Sequence, residues 1–242
     1  MYNLNTFMPH VWKVLAILAF MVFRLESLAT AETITIGTNN ANNIFPFGAP
    51  AGSPQAYMGE YQQLYASSNF ENTITIDSIG FASNSTENSG GESETLDVTI
   101  GLSTTSATMS TLSTNYAANE GPDFTQVFSG IVNYTPVDSD TFDLIFNIAP
   151  FTYNPANGSL LMDVLINSET GSTINFDSTD DSVTARVFNA GGDGEPVDSF
   201  GSGTQGLVTQ FQTNTASIPE PTSFGLAAFG ALALAAAYRK IH

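Results

Sequence analysis

Apolar and polar residues alternate along most of the middle of the chain. Leu96, Val98, Ile100 and Leu102 are separated by polar or small residues, and residues 142–148 repeat the pattern. Successive side chains of a β-strand point to opposite faces, so a period of two predicts strands with one buried face. Shorter strands are predicted at residues 33–37, 57–66, 126–134, 183–188 and 207–212.

Residues 160–166 depart from strict alternation. Positions 160, 162, 164 and 166 are apolar, and Leu161 and Leu165 on the opposite face are apolar as well. A strand that is apolar on both faces is typical of the middle of a covered sheet. We therefore predict that this segment is a central strand.

The segment 74–81 changes phase in its middle. Ile74 and Ile76 share one face, whereas Ile79 and Phe81 fall on the other. One extra residue in a strand shifts the alternation by one position, so a β-bulge is predicted near Asp77.

The predicted strands are separated by loops rich in Gly, Asn, Ser and Pro, and no internal window of ten residues keeps a helical apolar stripe. Residues 105–118 are expected to form one helical turn at most. Nine or ten strands without helical partners predict an all-β fold, a two-layer antiparallel β-sandwich of jelly-roll-like form over residues 32–213.

The first 31 residues resemble a secretory signal peptide. Lys13 precedes ten apolar residues at positions 14–23, and Ala29-Thr30-Ala31 supplies a small-residue cleavage site. Ten apolar residues are too few to span a bilayer. We therefore expect export and cleavage after Ala31.

Residues 214–242 form a separate tail. It contains an uncharged apolar run at 224–238, followed by Arg239 and Lys240. As a helix, fifteen residues would extend about 22 Å, less than the roughly 30 Å of a bilayer core. The run is expected to be a short transmembrane helix, whose basic end stays on the cytoplasmic side. A permanent anchor and a temporary hold during processing are both compatible with these residues.

The tail resembles the PEP-CTERM sorting signal of Gram-negative bacteria, since Pro219, Glu220 and Pro221 precede the short apolar run and its basic end. The basic end is sparser than the arginine cluster usual in that family. The resemblance implies processing by an exosortase, a membrane cysteine protease, and display at the cell surface or in the matrix. Residues 61–65, 112–116, 127–130, 151–155 and 158–164 also resemble the β-sandwich ectodomains that accompany such tails.

Without the predicted signal peptide and the C-terminal tail, the remaining domain is strongly acidic. Residues 32–217 contain 21 of the 23 acids and one cation, Arg186, which gives a charge of about −20. The same range lacks His, Cys and Trp. These absences exclude His-assisted nucleophilic catalysis and ordinary zinc sites. A single cation also excludes the basic surface that nucleic acids require, so no nucleic-acid partner is expected.

Acid-rich loops are the candidate metal sites, because calcium prefers several oxygen ligands. None matches the EF-hand pattern, and closely spaced acids are also expected on any surface this acidic. A further acidic run contains Asp138, Asp140 and Asp143. The calcium candidates are Asp177, Asp180, Asp181, Asp193, Glu195 and Asp198.

The sequence predicts a non-enzymatic exported protein of the cell surface or extracellular matrix, associated with exopolysaccharide or biofilm. Its expected partners are an exosortase-type protease, exopolysaccharide and, transiently, the inner membrane. No catalytic residue and no cofactor other than calcium is expected. The alternatives are a glycan-binding module that uses tyrosine rings as platforms and a glycosidase that uses two carboxylates.

Overall fold

The structure is a computed structural model that describes residues 30–50, 59–84, 88, 90–137, 141–188, 202–203 and 205–215. Secondary structure within these ranges consists of thirteen β-strands and short 3-10 turns. Residues 1–29 of the predicted signal peptide and the predicted C-terminal helix lie outside them, whereas the last two residues of the signal peptide, Thr30 and Ala31, begin the first strand. The strands are β1 (Thr30–Ile36), β2 (Ala41–Asn43), β3 (Gly59–Tyr65), β4 (Ile74–Ala82), β5 (Glu94–Thr105), β6 (Thr125–Tyr134), β7 (Phe142–Tyr153), β8 (Ser159–Gly171), β9 (Phe176–Thr179), β10 (Thr184–Phe188), β11 (Ser202–Gly203), β12 (Gly206–Leu207) and β13 (Thr209–Thr215).

The period-two pattern therefore predicted the class of the fold correctly. The nine strand pairings among β2 to β13 are all antiparallel. The only helical structure near the segment considered for a turn is the 3-10 turn Tyr116–Ala118. Among the described residues, none forms a helix long and apolar enough to cross a bilayer.

Two sheets carry most of the strands. One has the order β1-β13-β4-β7, and the other has the order β11-β10-β3-β8-β5-β6. The chain forms the β5–β6 hairpin in the second sheet, and strands before this hairpin pair with strands after it: β4 with β7, β3 with β8. Such nested antiparallel pairing is the pattern expected of a jelly roll. A small third sheet has the order β12-β9-β2.

The predicted bulge is confirmed. Opposite β13, Ser78 of β4 pairs with Gln212 and Ile76 pairs with the next residue, Thr213, so Asp77 is an extra residue on β4. The register with β7 also shifts between Ile76 and Ser78. Ile76 and Ile79 are both fully buried despite their odd spacing. The bulge lets both apolar pairs of this strand face the core.

The hydrophobic core contains side chains from both large sheets. The ring of Tyr65 on β3 meets Phe211 on β13 edge to face, with centroids 5.1 Å apart. Phe128 on β6 approaches Phe146 on β7 in the same way, at 5.3 Å. Edge-to-face pairs at these distances are favourable beyond the apolar area that they bury. The two sheets thus bury their apolar faces against each other, which is consistent with the predicted sandwich.

β8 is a central strand, as its doubly apolar sequence predicts. It pairs with β3 on one side and with β5 on the other. Its core-facing side chains, Leu160, Met162 and Val164, are fully buried. On the opposite face Leu161 is also fully buried, but Leu165 is 40% exposed. This outer face of the six-stranded sheet carries the polar residues described next.

Candidate carboxylate site on the outer face of the six-stranded sheet

Three acids meet on the outer face of the six-stranded sheet. Glu60 comes from β3, Asp163 from β8, and Glu120 from the loop before β6. One carboxylate oxygen of each lies within 4.8 Å of the others, the only such group of three acids among the described residues. We call these three residues the carboxylate site.

The strand register explains how residues distant in sequence come together. Gln62 of β3 is the direct neighbour of Asp163, and Gly101 of β5 is the neighbour of Asp163 on the other side. Glu60 lies two residues from Gln62 and therefore points to the same face of the sheet. Glu120 is added by the loop that leads into β6.

A buried amide network holds Asp163 in place. Gln62, which is fully buried, donates its side-chain NH₂ group to Asp163 and to the carbonyl of Tyr116, 3.2 Å away. Asn119 donates to the Gln62 side-chain oxygen at 2.8 Å and to the carbonyl of Ser113 at 2.7 Å. Because each amide has several partners, Asp163 is held in one orientation while the loop 113–119 is fastened to the sheet.

The surroundings disfavour negative charge on these acids. Burial and the nearby Asp163 carboxylate raise the pKa of Glu60 from 4.5 to about 8. Burial also raises the pKa of Asp163, although the hydrogen bond from Gln62 opposes the shift. Burial and Asp163 raise the pKa of Glu120. Glu60 consequently keeps its proton at neutral pH and can donate it in a hydrogen bond to Asp163.

An aromatic ring borders the site. Phe124 is 39% exposed, and its ring lies directly over Gly101, where a Cβ atom would overlap it. Phe124, Leu165 and the three acids line a depression of about 220 Å³. This is smaller than the roughly 300–1,000 Å³ of sites that enclose a drug-sized ligand. The depression suits a single small group that lies on the surface.

The carboxylate site offers three kinds of chemistry. Its oxygens could bind a divalent cation, since carboxylates are the preferred ligands of calcium. A protonated Glu60 beside Asp163 is a donor–acceptor pair suited to sugar hydroxyl groups. A protonated and an ionised carboxyl group are also the pair of side chains that most glycosidases use as acid and base or nucleophile.

The acids singled out from the sequence lie elsewhere. Asp177 is buried on β9, and Asp181 accepts a hydrogen bond from the Asn40 side chain at 3.4 Å. The amide of Asp180 donates to the Asn40 side-chain oxygen at 2.8 Å. Asp177, Asp180 and Asp181 do not form a group as close as the carboxylate site. Asp193, Glu195 and Asp198 lie outside the described residues.

Asp143, from the other acidic run, has a structural role. Its two oxygens accept hydrogen bonds from the Tyr134 hydroxyl at 2.7 Å and from the Val137 amide at 2.8 Å. Asp138 and Asp140 lie outside the described residues. The tyrosines considered as sugar platforms are mostly internal: Tyr61, Tyr65 and Tyr153 are fully buried.

The carboxylate site was missed because no local run of acids marks it. A signal did exist: Asp163 is the lone acid in the apolar segment 160–166, which was predicted to be a central strand. A buried acid in such a strand requires a partner. The identity of that partner depends on the pairing of β3 with β8.

The residues assigned to processing are at the two ends of the chain. Ala31 is exposed on β1, and Ala29 precedes the described residues. Pro219, Glu220, Pro221, Arg239 and Lys240 also lie outside them. Residues 217–240, however, match the family described as the PEP-CTERM protein-sorting motif.

The chain carries a PEP-CTERM sorting motif.

The matched segment, from Ser217 to Lys240, includes the Pro-Glu-Pro triplet, the apolar run and the basic residues described for the tail. This motif indicates an exosortase-sorted protein that is exported and held transiently at the membrane on its way to the surface. No curated protein and no solved structure matches the chain significantly. The matched motif concerns sorting and lies outside the β-sheet domain, so it does not identify a ligand for that domain.

The raised pKa of Glu60 leads to a prediction about pH. Between pH 4.5 and about 8 the folded protein binds more protons at Glu60 than the unfolded chain does. The free energy of unfolding should therefore fall as pH rises through this interval. Glu60→Gln removes the titrating carboxyl group and should make the free energy of unfolding decrease less steeply with pH. Urea unfolding of the full-length protein at pH 5, 6.5 and 8 measures this.

The control for this experiment is Glu71→Gln, which removes one charge from an exposed position. It should leave the slope of stability against pH close to that of the wild type. A Glu60→Gln protein with the full wild-type slope would contradict the assignment.

Proposed function

We propose that the chain is an exported, acidic, non-enzymatic protein of the cell surface or extracellular matrix, with a jelly-roll β-sandwich domain and a tail processed by an exosortase-type protease. The observation that carries this proposal is the PEP-CTERM motif at residues 217–240. The domain that precedes it adds a charge of about −20, which favours solubility and opposes adsorption to anionic surfaces.

The proposed order of events follows from the tail's physical properties. The apolar run at 224–238 lodges in the inner membrane during export, and Arg239 with Lys240 resists passage. A short run rich in Ala and Gly buries few CH₂ groups, each contributing about 0.8 kcal/mol, so it is a weak hold. Cleavage near Pro219–Pro221 then releases the domain, much as the tail of a GPI signal is discarded.

Intact mass spectrometry of the surface-extracted protein tests this proposal. We expect a carboxyl terminus between Ser217 and Pro221. A surface protein that still ends at His242 would show instead that the tail is a permanent anchor.

Composition supports a non-enzymatic role. Residues 32–217 contain no His and no Cys, which are the usual general bases and nucleophiles. The depression beside the carboxylate site is also small for an extended substrate. Association with exopolysaccharide is part of the proposal and requires a surface that contacts sugars.

The second candidate, a glycan-binding module, is favoured by one observation. The exposed ring of Phe124 stands beside the Glu60–Asp163 pair, so an apolar platform and hydrogen-bonding groups face the same depression. Sugars present apolar C–H faces and hydroxyl rims, which suits this combination. A domain of about −20 should prefer neutral glycans to uronates, because the latter are repelled.

Phe124→Ala is the variant that tests glycan binding. If the ring is the platform, affinity for a neutral ligand found on a glycan array should fall about two- to tenfold, since aromatic contacts contribute about 0.5–1.5 kcal/mol. Ile131→Ala removes another exposed apolar side chain, on β6, and should leave affinity unchanged. Equal effects of both substitutions, or none, would exclude Phe124 as the platform. Hydrolysis of the array ligand would indicate the glycosidase alternative.

A further inference from the structure

Two glutamates have their side chains inside the domain, at a place remote from the carboxylate site. Glu94 begins β5 in phase with Leu96 and Val98, which face the core, and it is 3% exposed. Glu169 on β8 pairs directly with Leu96 and is 1% exposed. A register shift opposite Asp97 and Val98 places Glu169 on this inner face.

The four carboxylate oxygens of this pair lack hydrogen-bond partners. The two carboxyl groups lie close enough to each other to shift each other's pKa, and the Ala49 backbone amide lies near Glu169. Nevertheless, none of the four oxygens makes a hydrogen bond of acceptable geometry with any described residue. Buried polar groups are normally hydrogen-bonded, and an unsatisfied one costs roughly 1–3 kcal/mol, more when it is charged.

Another buried polar side chain, further along the sheet, shows the usual pattern. Gln63 is also fully buried on the inner face, but its NH₂ group donates to the Leu207 carbonyl at 2.9 Å. Its oxygen accepts from the Leu207 amide at 2.8 Å and from the Tyr61 hydroxyl at 2.7 Å. Gln63 is thus fully hydrogen-bonded, whereas neither oxygen of Glu94 or of Glu169 has such a partner.

No side chain of the domain can neutralise the pair. Between residues 30 and 215 the sequence contains no Lys or His and a single Arg, Arg186. Arg186 lies on β10, where it donates to the Gln205 side chain at 3.1 Å and packs over the Phe188 ring. A pair of buried carboxylates normally requires a cationic partner or a metal. Charge compensation must therefore come from protons or from a bound cation.

We propose that Glu94 and Glu169 bind a divalent cation, most suitably calcium, inside the sandwich. The pair supplies up to four of the six to eight oxygens that calcium takes, and all of them are hard ligands. An exported protein meets calcium at levels that sites with dissociation constants of about 10⁻⁴–10⁻³ M can use. The proposal goes beyond sorting and glycan binding, neither of which requires a metal.

The competing arrangement is a shared proton. Burial and the adjacent Glu169 raise the pKa of Glu94 to about 11, and burial raises that of Glu169 to about 7. In the absence of metal the pair thus holds a proton at neutral pH. A cation that binds both carboxylates displaces this proton, because ligands must be deprotonated to coordinate.

The test measures the thermal unfolding midpoint of the full-length protein, in detergent at pH 7.5, with EDTA, with CaCl₂ and with MgCl₂. At a hundredfold excess over its dissociation constant, calcium should raise the midpoint by about 5–10 °C. Magnesium should have a smaller effect, since it demands near-octahedral geometry and dehydrates reluctantly. Isothermal titration should show one calcium site that is lost in Glu94→Gln and in Glu169→Gln.

Two control variants locate the effect. Glu120→Gln removes a member of the carboxylate site, and Glu71→Gln removes an exposed acid. Glu71→Gln is the neutral control and should keep the full calcium response. Glu120→Gln tests the surface acids as the alternative site, and under the proposal it does not remove the response that Glu94→Gln removes. A calcium response that disappears in Glu120→Gln and persists in Glu94→Gln would overturn the proposal in favour of the surface acids.

If calcium did not change the thermal unfolding midpoint of the wild type, the proposal would also be overturned. The pair would then be stabilised by a shared proton. Hydrogen exchange provides a readout without substitutions, in case Glu94→Gln does not fold. Calcium should slow amide exchange in the wild type around residues 94–96 and 169–171. Slowing confined to other segments would place the cation elsewhere and refute the assignment.

Discussion

Replacing Phe146 with alanine is expected to lower the free energy of unfolding by about 3–5 kcal/mol. Phe146 on β7 is fully buried between the two large sheets. Its ring lies 5.3 Å from Phe47, 6.1 Å from Phe81 and 5.3 Å from Phe128, centroid to centroid. These neighbours come from a loop and from both sheets, so they cannot all move inward to fill the cavity.

Urea unfolding of the full-length protein measures this loss. Ile145→Ala is the matched control, since Ile145 is the preceding residue on β7 but is 51% exposed. Its substitution should change stability by well under half as much, because little apolar area leaves water there. Equal losses at the two positions would contradict the assignment of faces on β7.

Replacing Pro219, Glu220 and Pro221 together with alanine is expected to abolish processing of the tail. Proline fixes its own φ near −65° and disfavours the helical region for the preceding residue, so the triplet sequence favours an extended backbone. Alanines would remove this constraint and allow the helix predicted at 224–238 to continue upstream. The substitution also removes the Glu220 carboxylate, which we propose contacts the protease.

Intact mass of the cell-associated protein should then show a chain that still ends at His242, in place of a terminus near Ser217–Pro221. Thr222→Ala with Ser223→Ala alters the same tail beside the triplet and should be processed normally. Normal processing of the triplet variant would show that the apolar run and basic end suffice for recognition. If both variants still ended at His242, the substitutions would have disturbed the tail in a general way and not the triplet specifically.

Local sequence was sufficient for the class of the fold because the period of two is a property of each strand. The strand through Leu96–Leu102, the central strand at 160–166 and the bulge after Ile76 were all predicted without knowledge of pairing. The face that a side chain occupies depends only on its position in the alternation and on the need to bury apolar residues. Sheet order does not follow from these rules, because many pairings bury the same faces.

The PEP-CTERM tail was also readable from sequence, since its three parts are contiguous. The same holds for the acidity of the domain and for its single cation, Arg186. These properties depend on composition and order along the chain. They indicate where the protein goes, but they do not identify a ligand.

Only the tertiary structure determined which acids lie close enough together to form a site. Glu60, Glu120 and Asp163 are far apart in sequence, and only the β3–β8 pairing and the loop before β6 bring them within 4.8 Å. Acids that are close in sequence, such as Asp177, Asp180 and Asp181, do not form such a group. Glu94 could be placed on the inner face from its phase with Leu96, but its partner Glu169 depended on a register shift in β8. Charge interactions act through space, so a site built from them follows strand register and not sequence proximity.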